Sequence, residues 1–457
     1  TVALLGQLFG GKIPTPNRII GYISMIPTSV TYLFRDYWTV HLGNRKKNNE
    51  SANPNLVLDH ITYGEKVQCV YDVFNGDPGS YYYGTNILGN ENNFKKFIER
   101  IFPECDVFRL LKAPQYDLRG EYDLNGNTHK ASNDSFFGFI SYNKKKKGLT
   151  IVFRGTVTDP EWIVDATFGG EVWEPGTRSK GIEPRKTTFW ETMKAGWLCH
   201  FPTRKHLVVH RGFQNFYETR RSVKQVNEEE SNMKENDHSF DHRVCAKQDS
   251  MQERVQKCLR WLIQEEGKQI DTVTITGHSL GAALAAVCAL DISALIKKEE
   301  LPIKNKVQLV TFACPKVAAG WKVEEAFKNI DFYHYCNRGD IVPVAMPGMG
   351  YKHPKSMEKI RYDPEKIGIT KKELSGKFRM LIPSFSNIGG NHNLEHIMYN
   401  MWLSTGEMGK VKPRDIGLMQ KGEDLLDRKM YPNRKIPPRW WGPLINKGVN
   451  KINGELN

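Results

Sequence analysis

A serine flanked by two glycines is the group in this 457-residue chain best suited to covalent chemistry. It lies in Gly277–Gly281 (GHSLG), between the β-branched run Thr272–Thr276 and an alanine-rich segment. A strand that turns sharply into a helix presents such a serine hydroxyl at the helix N-terminus, and glycines at both positions let strand and helix approach closely. The sequence therefore predicts that Ser279 is a nucleophile and that Gly277 and Gly281 shape its turn.

A serine hydroxyl becomes an effective nucleophile when a histidine takes its proton and a carboxylate orients that histidine. The best carboxylate is Asp340, within Asn337–Pro343 (NRGDIVP), because it directly follows an apolar run that ends near Cys336. In a fold with this serine turn, the acid and then the base follow the serine along the chain, each in a loop after a strand. The position of Asp340 predicts that it is the acid.

The base is less clear, because His392 and His396 lie four residues apart and can share one helical face. With Glu395 between them, the pair also has the spacing of metal ligands. No third ligand cluster is evident, so we expect neither a metal nor another cofactor. His353 is close to Asp340 in the chain and His334 lies within a strand, so both fit less well. Spacing alone leaves His392 and His396 open.

Short apolar runs supply the elements that must position these side chains. Strands buried on both faces are near-continuously apolar, and five runs have this character: Phe136–Tyr142, Leu149–Phe153, Thr272–Thr276, Val307–Ala313 and Asp331–Cys336. Helical patterns cover Met251–Glu266 and Leu280 to about Lys297. Because helices and strands alternate around the serine, we expect an α/β fold with a mostly parallel central sheet and helices on both faces.

The composition of the chain excludes some classes of protein and favours others. The chain has 65 Lys and Arg against 51 Asp and Glu, a net charge of +14, with 39% hydrophobic residues and 11% aromatic residues. This apolar content excludes general disorder, and the lack of an apolar run of about 18 residues excludes a polytopic membrane protein. The eight cysteines contain no C-x-x-C pair, and those in apolar stretches are expected to be free thiols, namely Cys288, Cys314 and Cys336. The positive charge favours an anionic partner such as phospholipid or nucleic acid.

Several ordered motifs resemble the class 3 lipase family, in particular its plant-type phospholipase A1 group. The resemblance covers roughly Ile61 to Gly448, most of the chain. It rests on GHSLGAALA at 277–285, FRGT at 153–156 followed by EWIVD, HRGF at 210–213, NRGDIVP at 337–343, HNLE at 392–395, and IPPRWW and NKG at 436–441 and 446–448. The resemblance implies an α/β-hydrolase fold with a Ser279–His392–Asp340 triad.

The resemblance also bears on the choice of base. In the plant group the base opens an H-[DN]-L-E motif, which falls on His392, whereas in related fungal lipases it opens H-x-x-Y, which falls on His396. The surrounding sequence is plant-like, so we take His392 as the base and keep His396 as the alternative.

An oxyanion hole and a lid are implied in the same way. The hole consists of the backbone N–H of Leu280 together with Thr156, at the end of the 149–153 strand. Val157–Asp165 (VTDPEWIVD) corresponds to the family's short amphipathic lid, and the side chains expected to meet lipid are Trp162, Ile163 and Val164.

The chain divides by these motifs into one catalytic domain with extensions. We expect residues 61–448 to form the lipase-like α/β-hydrolase domain, with insertions at about 169–209 and 221–250 that depart from the compact family pattern. Residues 1–60 are an N-terminal extension that can pack on the domain or lie at a lipid interface, and residues 449–457 are a C-terminal tail.

These residues together predict a glycerolipid carboxylic-ester hydrolase that acts at a lipid–water interface. The first choice is a phospholipase A1, which releases the sn-1 acyl chain; a triacylglycerol lipase or a galactolipid acyl hydrolase is the alternative. A lipase-like signalling scaffold that needs no catalysis is the alternative of another class. The expected partners are a glycerolipid substrate and an anionic membrane or lipid-droplet surface, without nucleic acid. We expect peripheral membrane association, cytoplasmic or plastid rather than secreted.

Overall fold

The structure, a computed structural model, describes most of the segments that carry the predicted motifs. These are residues 53–73, 91–112, 136–155, 170–177, 206–220, 248–337, 340, 342–345, 351–362 and 392–405. The predicted oxyanion residue Thr156 and the predicted lid lie outside the described residues. So do residues 1–52 of the N-terminal extension, most of both insertions, and the tail.

The described residues contain strands β1 to β11 and helices α1 to α8. The strands are Cys105–Lys112, Phe136–Asn143, Gly148–Phe153, Gly170–Trp173, Leu207–His210, Thr272–His278, Val307–Phe312, Ala318–Ala319, Ile330–Asn337, Tyr351–Lys352 and Glu358–Tyr362. The helices are Pro54–Val73, Glu91–Ile101, Arg211–Glu218, Met251–Gln264, Leu280–Lys297, Val323–Ala326, Val342–Ala345 and Leu394–Thr405. All five predicted strands and both predicted helices are present, with ends that shift by at most two residues.

The main sheet has the order β1-β2-β3-β6-β7-β9-β11. From β3 to β11 every neighbouring pair is parallel, whereas β1, β2 and β3 pair antiparallel. The carboxyl ends of β6, β7 and β9 therefore meet at one edge of the sheet, where ligand sites of parallel sheets form. The prediction of a mostly parallel central sheet is confirmed.

Helices cover both faces of this sheet. One core cluster joins the sheet to α3, α4 and α5 and contains Ile151 and Leu309; the other joins it to α1, α2 and α8 and contains Val152 and Val310. Adjacent residues of one strand thus enter opposite cores, which requires the near-continuous apolar runs seen in the sequence.

Helix α5, which follows the serine, lies in the centre of the larger core. It is apolar on all sides and most of its residues are buried, as expected for a helix covered by other elements rather than by water. The expectation of no apolar run of about 18 residues is wrong here: among the described residues, α5 is the one helix long and apolar enough to cross a membrane. However, 83% of that stretch is buried inside the fold.

A second sheet, which the sequence did not predict, has the order β10-β8-β5-β4. Its strands β4 and β5 pair antiparallel from Gly170 opposite His210 to Trp173 opposite Leu207. They are the two ends of the insertion at about 169–209, so the insertion leaves and rejoins the fold at neighbouring positions. Strands of two to four residues have too little periodicity to be recognised in a sequence.

The turn between β2 and β3 is exposed and consists of Lys144–Lys147. Cys288, Cys314 and Cys336 are buried free thiols, as predicted. The N-terminus of α4 has a capping box, in which the Ser250 hydroxyl accepts from the Glu253 N–H and the Glu253 carboxylate accepts from the Ser250 N–H.

Candidate active site

Ser279 lies in the sharp turn between β6 and α5. Its backbone has φ 55° and ψ −124°, a conformation that L side chains rarely adopt. The Ser279 N–H donates to the carbonyl of Phe312, at the end of β7, at 3.1 Å, and the Ser279 carbonyl accepts from the N–H of Ala282 at 3.0 Å. Non-glycine residues in such strained conformations cluster at functional sites because the surrounding structure must hold them there.

The two glycines of the turn are required by close backbone approach. A Cβ on Gly277 would overlap the carbonyl of Gly281, and a Cβ on Gly281 would overlap the carbonyl of Arg154 at the end of β3. The turn therefore packs β3, β6 and the first turn of α5 against one another with no room for a side chain. This is the geometry that the glycine spacing predicted.

His392 bridges the serine and the aspartate. Its Nε2 lies 2.7 Å from Ser279 Oγ, and its Nδ1 lies 3.1 Å from Asp340 Oδ2 and 3.2 Å from Oδ1. The Asp340 side chain is completely buried and that of His392 is 14% exposed. An ionised carboxylate can only accept, so His392 Nδ1 carries the hydrogen in this contact and Nε2 faces the serine hydroxyl as an acceptor. This arrangement can move a proton from the serine to the imidazole.

Asp340 is fixed by its own loop. Its N–H donates to the carbonyl of Asn337, the last residue of β9, at 3.2 Å, and its Oδ1 accepts from the N–H of Val342 at 3.0 Å. The Asn337 side-chain oxygen in turn accepts from Asn400 on α8 at 2.7 Å. These contacts join the loop after β9 to the helix that follows His392.

The structure places His392, and not His396, against the serine. Asn393 explains the difference, since its side-chain oxygen accepts from the N–H groups of Glu395 at 2.8 Å and His396 at 3.3 Å and so caps the N-terminus of α8. His392 precedes the cap and points to Ser279, whereas His396 is already in the helix and buried. Within the described ranges, no group of three or more His, Cys, Asp or Glu side chains is arranged to hold a metal ion.

His334 and His353 do not contact the serine in the part of the chain that the structure describes. The two rings lie 5.3 Å apart, and His334 Nδ1 contacts the Thr311 hydroxyl at 3.2 Å. Burial lowers the pKa of both histidines well below the usual value, and the nearby Lys359 adds to the effect. They are neutral packing residues on β9 and beside β10.

The backbone N–H of Leu280 begins α5, next to the serine. The first N–H groups of a helix have no partner within it, and the helix dipole makes this end favourable for negative charge. Gly155 is the last described residue after β3. A Cβ added to Gly155 would lie 3.0 Å from Ser279 Cβ. The chain after β3 therefore passes directly beside the serine, and the described chain before the predicted oxyanion residue ends beside this nucleophile.

Two polar neighbours of the site were not identified in the sequence, Tyr71 and His278. The Tyr71 hydroxyl accepts from the Gly155 N–H at 2.7 Å and lies 2.8 Å from His278 Nδ1, and His278 Nε2 donates to the carbonyl of His392 at 2.7 Å. Burial, together with the adjacent His392, lowers the pKa of His278 well below its usual value. His278 is at a variable position of the Gly277–Gly281 motif, and Tyr71 is distant in the chain. The local sequence pattern therefore does not indicate a role for either residue.

Comparison with known proteins gives relatives over most of the chain. It is 24% identical over 417 residues to phospholipase A1-II 7 of Oryza sativa subsp. indica, covering 83% of this chain and 85% of the relative. It is 25% identical over 427 residues to the chloroplastic phospholipase A1-Igamma2 of Arabidopsis thaliana, covering 88% and 71%. Among solved structures, a lipase from Rhizopus microsporus var. chinensis is 18% identical, with a TM-score of 0.37 and coverage of 70% of this chain and 78% of that one.

Residues 150–349 match the family described as lipase (class 3). The matched segment begins in β3 and includes the serine turn and Asp340, while His392 follows it. The parallel sheet, the strained serine between β6 and α5, and the family match agree with one another. Residues 150–349 therefore match the class 3 lipase family, the chain is similar to plant phospholipases A1 over most of its length, and it is a serine carboxylic-ester hydrolase of the α/β-hydrolase fold.

Proposed function

We propose that this lipid ester hydrolase is a phospholipase A1, which releases the sn-1 acyl chain through a Ser279–His392–Asp340 triad. The observation that carries the proposal is the position of the His392 ring, 2.7 Å from Ser279 Oγ and 3.1 Å from Asp340 Oδ2. The curated relatives reported above are named phospholipases A1, which supports this choice of substrate class over the triacylglycerol and galactolipid alternatives.

In the proposed reaction Ser279 Oγ attacks the sn-1 carbonyl carbon while His392 Nε2 takes the hydroxyl proton. Buried Asp340 stabilises the imidazolium that forms and holds it in the orientation shown. The protonated His392 then donates its proton to the leaving glycerol oxygen, which releases the lysophospholipid and leaves the acyl chain on Ser279. Water, activated by the same histidine, hydrolyses this ester and releases the fatty acid.

The negative charge on the former carbonyl oxygen needs donors that are already in place. We assign one of them to the Leu280 N–H at the start of α5, and the other to Thr156, which follows Gly155 in the chain. Removal of one such donor in an acyl-transfer enzyme costs about 3 to 4 kcal/mol of transition-state stabilisation. The proposed lid at 157–165, with Trp162, Ile163 and Val164 toward lipid, follows Thr156 directly.

The proposed place of action is an anionic membrane surface. Lysine and arginine near such a surface each contribute about 1 kcal/mol to binding, and the net charge of +14 is consistent with attraction of this kind. Some of the matched plant relatives are named chloroplastic, which supports a plastid membrane as one location for this chain.

Product analysis on lipids with position-labelled acyl chains tests the proposed function. Phosphatidylcholine, phosphatidylglycerol, a galactolipid and a triacylglycerol are offered to the wild type, to Ser279→Ala and to Ser293→Ala. Ser293 is a suitable control because it lies on the same helix as the serine turn, away from His392 and Asp340. We expect sn-1 fatty acid from the phospholipids with wild type and Ser293→Ala, and none with Ser279→Ala.

Faster release from triacylglycerol than from either phospholipid would contradict the substrate class while leaving the triad in place. Hydrolysis that survives in Ser279→Ala would contradict the triad itself. A wild type that hydrolyses none of these lipids as vesicles or micelles would contradict the proposed activity and support the scaffold alternative.

A further inference from the structure

A partly buried chain of hydrogen bonds connects three elements around the proposed triad. Tyr71 lies near the end of α1, His278 is the last residue of β6, and Gly155 follows β3. The Tyr71 hydroxyl lies 2.7 Å from the Gly155 nitrogen and 2.8 Å from His278 Nδ1, and His278 Nε2 lies 2.7 Å from the carbonyl oxygen of His392. These contacts fix Gly155, His278 and His392. Gly155 directly precedes the proposed oxyanion residue Thr156, His278 directly precedes Ser279, and His392 is the proposed base.

The donor and the acceptor of each hydrogen bond in this chain are fixed by the chemistry of the groups. A backbone carbonyl only accepts, so His278 Nε2 must carry a hydrogen, and the neutral ring then has its lone pair on Nδ1. Tyr71 must donate its hydroxyl hydrogen to that lone pair, and its oxygen accepts the Gly155 N–H. Burial keeps His278 neutral, because it lowers the pKa of this ring well below the usual value and the neighbouring His392 adds to the effect. The ring is therefore neutral at neutral pH, and its contacts select this tautomer.

We propose that Tyr71 and His278 are positioning residues, which fix the backbone of His392 and the end of β3 relative to Ser279. The inference rests on the proposed triad. His278 directly precedes the nucleophile, its contact holds the main chain of the base, and Tyr71 holds Gly155, the residue before the proposed oxyanion donor Thr156. Neither side chain contacts Ser279 Oγ, so neither is a catalytic residue.

The close packing around Gly155 is a second, independent observation that supports this arrangement. A Cβ at this position would overlap the Tyr71 hydroxyl and would lie 2.8 Å from the carbonyl oxygen of His278. The glycine lets the hydroxyl reach the backbone N–H between β3 and β6. Misplacement of a reacting group by about 1 Å can cost about 100-fold in rate, so a contact that fixes the base and the oxyanion strand together has a direct effect on turnover.

The test removes the Tyr71 oxygen alone and compares it with a matched change. Tyr71→Phe deletes the contacts of the hydroxyl with Gly155 and His278. Tyr63→Phe is the control, because Tyr63 lies two turns earlier on the same helix and its hydroxyl contacts Thr274 at 3.3 Å, away from the serine. For each variant, kcat and KM are measured on phosphatidylcholine in mixed micelles, together with the rate of inactivation by a fluorophosphonate and the melting temperature.

We expect Tyr71→Phe to lower kcat and the fluorophosphonate inactivation rate by about 10- to 100-fold, with KM within about twofold of the wild type. Tyr63→Phe should leave kcat within about twofold while lowering the melting temperature to a similar degree, since each change removes a hydroxyl from the core. A kcat of Tyr71→Phe equal to that of Tyr63→Phe would overturn the proposal. So would an effect confined to KM or to melting temperature.

A second pair of variants tests His278 by conservative replacement. In His278→Gln the side-chain amide can donate to the His392 carbonyl through Nε2 and accept from Tyr71 through Oε1, whereas His278→Leu can do neither. We expect His278→Gln to keep at least 10-fold more kcat than His278→Leu, and equal activity of the two would overturn the role of the ring nitrogens. A wild type that neither hydrolyses lipid nor reacts with the fluorophosphonate would overturn the proposed function and this inference together. A reactive wild type with an equally reactive Tyr71→Phe would overturn the inference alone.

Discussion

Replacement of Asp340 by asparagine should stop turnover through the wrong tautomer of His392, with the fold left intact. Asp340 Oδ1 accepts from the Val342 N–H at 3.0 Å, so the amide oxygen of an asparagine is drawn to that position. The amide –NH₂ then takes the place of Oδ2, 3.1 Å from His392 Nδ1, and donates to it. His392 must carry its hydrogen on Nε2, which faces Ser279 Oγ at 2.7 Å and can no longer take the serine proton.

The expected loss is large. The same change in a serine triad, with the geometry preserved, lowers kcat by about 10⁴-fold. At 1.36 kcal/mol for each factor of ten, this corresponds to about 5.4 kcal/mol of lost transition-state stabilisation. The assay is fatty-acid release from phosphatidylcholine in mixed micelles, with fluorophosphonate inactivation as a readout that does not depend on lipid binding, and melting temperature as the check of folding.

Asp331→Asn is the matched control, because Asp331 lies on the same strand, β9, and forms a half-exposed ion pair with Lys306 at 3.6 Å. Exposed pairs contribute about 0 to 1 kcal/mol, so this variant should keep wild-type turnover. A kcat of Asp340→Asn within about 10-fold of the wild type, in a folded protein, would refute the reasoning about the tautomer.

Three further predictions follow from the same geometry. Gly281→Ala should lose activity and stability because its Cβ overlaps the carbonyl of Arg154. Gly267→Ala is the control: with φ 57° and open space around it, the change should lower the free energy of unfolding by only about 1 to 2 kcal/mol. Urea unfolding and ester hydrolysis are measured for both variants. His396→Gln should keep kcat within about fivefold, since His396 is buried within α8 and His392 is the histidine on Ser279 Oγ, and a loss of 100-fold or more in lipid hydrolysis would contradict His392 as the base. Burial lowers the pKa of His210 to about 3, so the unfolded chain binds a proton from about pH 6.5 downward that the folded chain does not, and stability falls with falling pH. His210→Leu should reduce the loss in free energy of unfolding between pH 8 and pH 5 by about 2 kcal/mol, and an unchanged pH dependence in urea titrations would refute this.

The features that the sequence predicted well depend on local chemistry. Gly277 and Gly281 mark the turn because no other residue fits between the crossing backbones, and the β-branched run before them forms β6. The apolar runs predicted five strands of the main sheet because each strand enters a core on both faces. Asp340 was recognisable because the loop after a parallel strand opens at the edge where the serine lies.

The choice of base shows where local pattern reaches its limit. Spacing left His392 and His396 open, and the family resemblance favoured His392, which is the histidine that the structure places against Ser279. The deciding contact is the cap formed by Asn393, which starts α8 one residue after His392 and turns the two histidines in different directions. A helix start can be read from sequence, but the side on which the preceding residue emerges depends on how α8 packs on the sheet.

Other features depend on contacts between distant segments, which a single sequence does not encode visibly. Tyr71 and His278 are 207 residues apart and meet only because α1 packs against the face of β6. The small sheet joins β5 with the two-residue strand β8, which has no periodicity of its own. Thr156 and the lid residues Trp162, Ile163 and Val164 lie outside the described residues and remain predictions.

The most direct test of the account is to locate the covalent intermediate. The wild type is mixed with phosphatidylcholine that carries an isotope-labelled sn-1 chain, quenched in acid within a turnover, digested and analysed by peptide mass spectrometry. The account predicts one labelled acyl group per chain, on Ser279 in the peptide that contains Gly277–Gly281. Rapid hydrolysis of the lipid with the acyl group on another residue, or with the same turnover in Ser279→Ala, would contradict it.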